Sequence, residues 1–200
     1  MMRKVIVLMA GLTCLWGAAQ GLAVGQKVPA VEITDRGALV PATRVADGRM
    51  VLTSQELGTR TWSPREMLGR VWTLYHLAAR VGVDDINKPY IDALIAARLP
   101  EFTPDGAYKT VTVLNLGDAL WGTAGMGRSR LEKSQRDFPH AIHVDDEKGL
   151  ARVAWGLRTK GSAVALVDRD GTVLFLKEGK LTPEEIGKVL ALIKERLAHP

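Results

Sequence analysis

The sequence predicts an α/β domain, a mixed central sheet with helices on both faces and an N-terminal β-hairpin extension. Three observations carry this. Val71 to Leu77 is a continuous apolar, aromatic and β-branched run, which suits a strand buried on both faces of a mostly parallel sheet. From there the chain reads strand, helix, strand, helix, strand, hairpin, helix, an alternation that layered packing of helices on a sheet explains. The end is the clearest part: "AVALVDRDGTVLFL" is a hairpin turning on Asp168 to Gly171, and a capped amphipathic helix follows it.

The elements follow in order. "VPAVEITDRGALV" predicts a strand over Val31 to Thr34, a turn on Asp35-Arg36-Gly37 and a return strand. Pro41 to Pro64 mixes short apolar runs with Gly48, Gly58 and Ser/Thr and reads as strand and loop. After the central strand, Ile91, Leu94, Ile95 and Leu99 recur at helical spacing, with Asp85 or Lys88 as the cap and Pro89 in the first turn. Thr110 to Leu116 is the next strand, and the Gly-rich "GTAGMGRSR" reads as a loop leading into a polar helix towards Phe138. "AIHVD" is a short strand and "GLARVAWGL" a short helix. Thr182-Pro183-Glu184-Glu185 is a capping box with Pro at the first helical position. Ile186, Val189, Leu190, Ile193 and Leu197 then give the final helix one apolar stripe.

The first residues bear on where the protein works. A short basic start through Lys4, an apolar run over Val5 to Ala18 and the small residues of "GAAQG" have the layout of a secretory signal peptide over residues 1–19. Cleavage is expected after Ala19, with Gly21 as the alternative. The apolar run is shorter than the roughly 20 residues of a membrane-spanning helix, so no span is expected once it is removed. Residues 20–200 then form a single domain, large enough for one real core. Cys14, the one cysteine, lies in the leader, so the mature chain is expected to carry no thiol in a compartment where disulfides are common. Arg3 and Lys4 would leave with the leader, taking the charge excess from +5 to +3. That mild and scattered charge argues against nucleic acid as a partner.

The motifs "ITDRG", "TWS", "LGRV", His76 to Arg80 as H-x-A-x-R, "SAVALVDRDG" and "GKLTPEE" together resemble the YtfJ family of exported bacterial proteins, within the thioredoxin-like superfamily. The similarity runs over nearly the whole mature chain, and Arg44 to Arg60 looks longer than that family suggests. The resemblance implies a thioredoxin-like fold and a periplasmic location. It also places the two cysteines of a C-x-x-C site at Val81 and Asp84, and the cis-proline ahead of the penultimate strand at Ser162. Valine offers no thiolate to activate, and the peroxiredoxin variant, whose Arg compares with Arg158, needs the same missing cysteine. The fold is therefore expected without its redox chemistry, and the resemblance supplies no reaction.

Candidate chemistry lies in three places. His76, near the C-terminal end of the central strand where open α/β sheets bind ligands, could join Arg80, Asp84, Asp85 and Ser162 in a polar cleft for a peptide or small anion, Arg80 supplying a planar donor. The plainer reading has His76 bonded to a carbonyl and Arg80 paired with an aspartate. A hydrolase built on these residues needs a nucleophile within hydrogen-bond reach of its base, which spacing does not establish. His140, His143, Asp145 and Asp146 are of metal-ligand type, but two residues three apart on a strand face oppositely, so an ordinary strand end with solvated aspartates is expected and no metal. Gly122, Gly125, Gly127, Arg128 and Arg130 could form an anion-binding nest before a helix, although the segment matches neither a Walker nor a dinucleotide motif. Trp62, Trp72 and Trp155 are expected in the core, with Trp121 a contact residue. The expectation is a non-catalytic binding or accessory protein for an unidentified periplasmic protein or peptide, without cofactor; the rival is a non-thiol enzyme using the cleft around His76, Arg80 and Ser162.

Overall fold

Eight successive residues of β3, Val71–Ala78, are buried, as the unbroken apolar run requires. The computed structural model describes residues 21–99 and 105–199; the leader expected over 1–19, Cys14 included, lies outside them. β3 is an interior strand, between β4 and β6, in a seven-stranded sheet ordered β2-β1-β5-β4-β3-β6-β7. The other strands are β1 (Ile33–Ala46), β2 (Arg49–Trp62), β4 (Tyr108–Asn115), β5 (Ile142–Asp146), β6 (Ser162–Val167) and β7 (Val173–Glu178). β3 pairs parallel with β4, and β4 with β5; the remaining neighbours are antiparallel.

Helices cover both faces. Alternation along β3 divides the core, sending Val71, Tyr75 and Leu77 one way and Trp72 and Leu74 the other. The first face packs Tyr90 and Leu94 of α1 (Lys88–Ala96), Leu131 of α2 (Ala124–Asp137), and Val189 and Ile193 of α4 (Pro183–Ala198). The second packs Ala151 of α3 (Leu150–Ala154) with Trp155, Trp62 and Met67. Among the described residues no helix is long and apolar enough to cross a membrane. The capping box forms as read, with the Glu185 amide donating to Thr182 Oγ1 at 3.2 Å and the Thr182 amide to Glu185 Oε2 at 2.8 Å.

The N-terminal hairpin exists but turns elsewhere. Its loop is Asp47–Gly48, between paired Ala46 and Arg49, and both residues have positive φ, 50° and 72°. A two-residue hairpin loop needs that conformation to match the twist of its strands. The segment from Pro41 to Pro64 is therefore mostly strand. The expected turn at Asp35-Arg36-Gly37 is a bulge inside β1, where the register slips between Ile33 and Ala38. Gly37 has φ 70°, and a Cβ there would stand 2.2 Å from the Arg60 carbonyl oxygen and 2.7 Å from that of Ile33.

Three other local expectations are corrected. "GTAGMGRSR" is not a loop beyond Thr123, because Ala124 onward is the first turns of α2. The first helix has Asn87 at its N-cap position rather than Asp85 or Lys88, without a side-chain capping bond, and Pro89 lies in its first turn. Asp145 and Asp146 are fully buried rather than solvated, because β1 pairs beside Asp145 and the start of α3 closes over Asp146. The Asp145 Oδ2 accepts a hydrogen bond from Arg128 Nε of α2 at 2.8 Å and pairs with Arg36 Nε of the bulge at 2.9 Å. Asp146 accepts the Leu150 and Ala151 amides at 2.8 and 2.9 Å, satisfying the start of α3. Burial raises its pKa, and those amides oppose the rise. Asp145→Asn leaves two half-buried guanidinium groups without their shared counter-charge; its free energy of unfolding in a urea titration is expected to fall by about 3 kcal/mol, with Arg36→Ala, which leaves one cation in place, costing less.

Candidate functional site

Period-two geometry decides which of the five cleft residues can meet. His76 pairs with Ala163 of β6 and turns to the second face, where its ring lies 6.2 Å from that of Trp155. Ser162 pairs with Leu77, one residue on, and so turns to the first face. His76 and Ser162 therefore stand on opposite sides of the sheet, and neither a shared cleft nor a nucleophile–base pair can be built from them. His76 is only 2 % exposed and its Nε2 has no partner among the described residues. Burial pushes it down to about 4; the Asp118 charge opposes this and Arg152 adds to it. Ser162 Oγ accepts a 3.4 Å hydrogen bond from Asn87 Nδ2. The same amide donates to the Gly179 carbonyl at 2.9 Å, while Asn87 Oδ1 accepts the Leu181 amide, also at 2.9 Å. Ser162 thus belongs to a buried tie between the start of α1 and the link into α4.

Arg80 and Asp84 do converge, and they meet the Gly-rich segment. They line an open cavity of about 290 Å³ between α1 and α2, over the first face of the sheet. Leu94, Leu131, Ile91 and Leu114 form apolar walls, and Gly127 and Arg130 line it from α2. Arg130 Nη1 donates to Asp84 Oδ2 at 3.0 Å across the mouth. Arg128 is committed elsewhere, to Asp145, which raises its pKa. Gly122 and Gly125 do not line the cavity. Arg80 Nε donates to the Asp118 carbonyl at 2.9 Å, and the Asp118 carboxylate is itself fixed by Asn115 Nδ2 at 3.0 Å and the Lys160 amide at 2.8 Å. Arg80 is so held by backbone, and the plainer reading of an aspartate pair fits only as a carbonyl contact.

Val81 and Asp84 lie in a run of turns over 81–87, and α1 begins at Lys88. Val81 is 79 % exposed at the cavity mouth, with Met126 of α2 also exposed there. Trp62, Trp72 and Trp155 are core residues, whereas Trp121 is fully exposed two residues before the cavity-lining Thr123.

The residues that sequence reasoning passed over are on the cavity floor. Thr110 and Thr112 sit mid-strand in β4, between β3 and β5, yet are partly exposed because α1 and α2 leave the sheet uncovered above them. The signal was present in "TVTV", polar residues on a face that a buried central strand would make apolar. His143, paired with Thr112, is part of the same floor. Its Nδ1 lies 3.2 Å from Gln135 Oε1, and burial, helped by His140, pushes it down to about 4. Among the described residues no group of three or more metal-ligand side chains forms.

Comparison with known proteins joins this chain to a family. The model of the family described as "Bacterial protein of unknown function (YtfJ_HI0045)" matches residues 22–196. The chain belongs to that family. It is 34% identical over 196 residues to the protein YtfJ of Escherichia coli (strain K12), covering 98% of each chain. A Haemophilus influenzae protein is 30% identical over 196 residues, covering 96% of this chain and 97% of that one. Among solved structures, the chain named as thiol:disulfide interchange protein DsbE of Chlorobium tepidum superposes with TM-score 0.55 at 19% identity, covering 88% of this chain and 99% of that one. The reduced 2-Cys peroxiredoxin of Plasmodium vivax gives 0.52 at 11% identity, with 88% and 99% covered. These likenesses establish the thioredoxin-like fold.

The two buried histidines set a pH dependence. Each is neutral in the folded protein down to about 4, whereas an unfolded histidine takes a proton near 6.5. Between those values the unfolded state binds more protons, so stability is full above about pH 6.5 and falls as the pH drops towards 4. Urea titrations across this range should show a loss on the order of 1 kcal/mol per pH unit for each histidine, and His76→Gln should flatten the slope by one histidine's share.

Proposed function

We propose that this protein is exported to the periplasm, carries out no thiol–disulfide or peroxide chemistry, and works as a binding protein whose site is the cavity between α1 and α2. The observation that carries the reading is that open apolar cavity, with Val81 and Asp84 at its mouth where the thioredoxin pattern has its cysteines. Cys14 is the chain's one cysteine and lies in the expected leader, so the mature form would have no thiolate to attack a disulfide or peroxide. The location rests on that leader and on the family resemblance. Walls of leucine and isoleucine around a space near the lower end of ligand-cavity sizes, roughly 300–1,000 Å³, are the usual features of a binding site. The rival enzyme lacks its premise, because His76 and Ser162 are on opposite faces of the sheet.

Two measurements test this. Insulin reduction and peroxide consumption by the mature protein should match buffer, and protein-dependent turnover would sink the non-redox assignment. The tagged mature protein should be isolated from a periplasmic extract beside Ser134→Phe, which fills the cavity from α2, and His76→Ala on the opposite face, with bound material read by mass spectrometry. A component kept by His76→Ala and lost from a folded Ser134→Phe is the expected result; equal recovery from all three places binding elsewhere.

A further inference from the structure

The cavity has a shape and a charge, and both restrict what fits. It runs along the strands, since Thr110 and Leu114 of β4 both line it. Four residue steps of a strand span about 13 Å. Phe138 and His140 stand among its residues at the start of β5, and Arg80 and Val81 beyond the end of β3. The space is thus a slot walled by apolar side chains from two helices, longer than a single side chain needs.

One end of the slot carries a spare cation. Arg80 and Arg130 line the mouth, and Arg128 lies nearby in α2 without lining it. Arg128 is held by Asp145 and Arg130 by Asp84. Arg80 alone uses only its Nε, on the Asp118 carbonyl, and among the described residues its two Nη groups have no partner. It is also half-buried rather than extended into solvent. The backbone contact fixes the plane of the guanidinium and leaves the Nη groups as donors, an arrangement suited to a carboxylate. With Asp84 paired to Arg130, Arg80 is the cavity-lining cation that has no carboxylate partner among the described residues. Over the sheet the floor offers the Thr110 and Thr112 hydroxyls and a His143 that burial keeps uncharged. An anionic head is therefore favoured at Arg80 and disfavoured deep in the slot, where desolvation would cost more than neutral hydroxyls return.

We propose that the slot binds a medium-chain aliphatic carboxylate, its chain lying between α1 and α2 over Thr110 and Thr112 and its head on Arg80. This rests on the binding reading above and specifies the ligand for the same site. The carboxylate could arrive as a free acid, or the chain could arrive esterified in a lipid; the free acid is the form that uses Arg80.

The test is calorimetric titration of the mature protein with octanoate, decanoate, decanol and decanoyl-lysophosphatidylglycerol, repeated on Arg80→Gln, Arg80→Lys and Ser134→Phe, each checked for a cooperative melt. Each buried methylene tightens binding about fourfold, so decanoate should bind about 15-fold more tightly than octanoate. Arg80→Gln should weaken decanoate about tenfold and leave decanol unchanged, because loss of a charge-assisted bond touches only the charged head. Arg80→Lys should fall between, keeping the charge without the planar fork. Ser134→Phe should abolish binding of both. Equal affinity for decanoate and decanol, or no dependence on chain length, would overturn the proposal, as would binding of the lysolipid in place of decanoate. Absence of decanoate binding while a periplasmic component is still released by Ser134→Phe removes this ligand class and leaves the binding reading intact.

Discussion

A single carboxylate holds three elements together. Asp145 is completely buried, and Arg36 from the bulge of β1 and Arg128 from α2 both reach its Oδ2. Leaving such a charge unmatched would cost several kcal/mol, so its partners are not free to move. The bulge aims Arg36, and it exists because Gly37 takes a positive φ in contact with the Arg60 carbonyl. The Arg128 bond fixes the start of α2, the wall of the cavity facing α1. The position of the candidate site therefore traces to one buried charge and the glycine that lets an arginine reach it.

Much of the fold was legible because its signals are local. The capping box needs four consecutive residues, and β3 announces itself by an unbroken apolar run; neither depends on distant contacts. The hairpin was placed at the wrong turn for a reason of the same kind. Asp35-Arg36-Gly37 and Asp47-Gly48 are both good turn sequences, and choosing between them requires the pairing of β1 with β5, a contact more than a hundred residues apart. The aspartates of "HVDD" look solvated for the same reason, since nothing near them in sequence reports that β1 will pair beside Asp145.

The site was legible in composition but not in geometry. Arg80, Asp84, Gly127 and Arg130 were singled out from two separate motifs, and the fold brings them to one cavity. His76 and Ser162 look like cleft partners because the first lies near the C-terminal end of β3 and the resemblance puts the second at the cis-proline position. Their separation depends on a register of one residue, Ala163 rather than Ser162 opposite His76, and composition carries no information about register. Thr110 and Thr112 were read only as strand formers, because their exposure depends on how far apart α1 and α2 sit.

The long hairpin carries a consequence of its own. β1 meets β5 only at Gly37 and Ala38, whereas its pairing with β2 continues out to the Asp47–Gly48 loop. Beyond the bulge the two strands form a ribbon that shares no ladder with the rest of the sheet, steadied where Arg136 Nε of α2 donates to the Gln55 carbonyl at 2.9 Å. Two-stranded ribbons are marginal by themselves. So short a link to the sheet favours local opening of the ribbon over opening of the strands inside it, β3 and β4, whose amides sit in the core of the sheet.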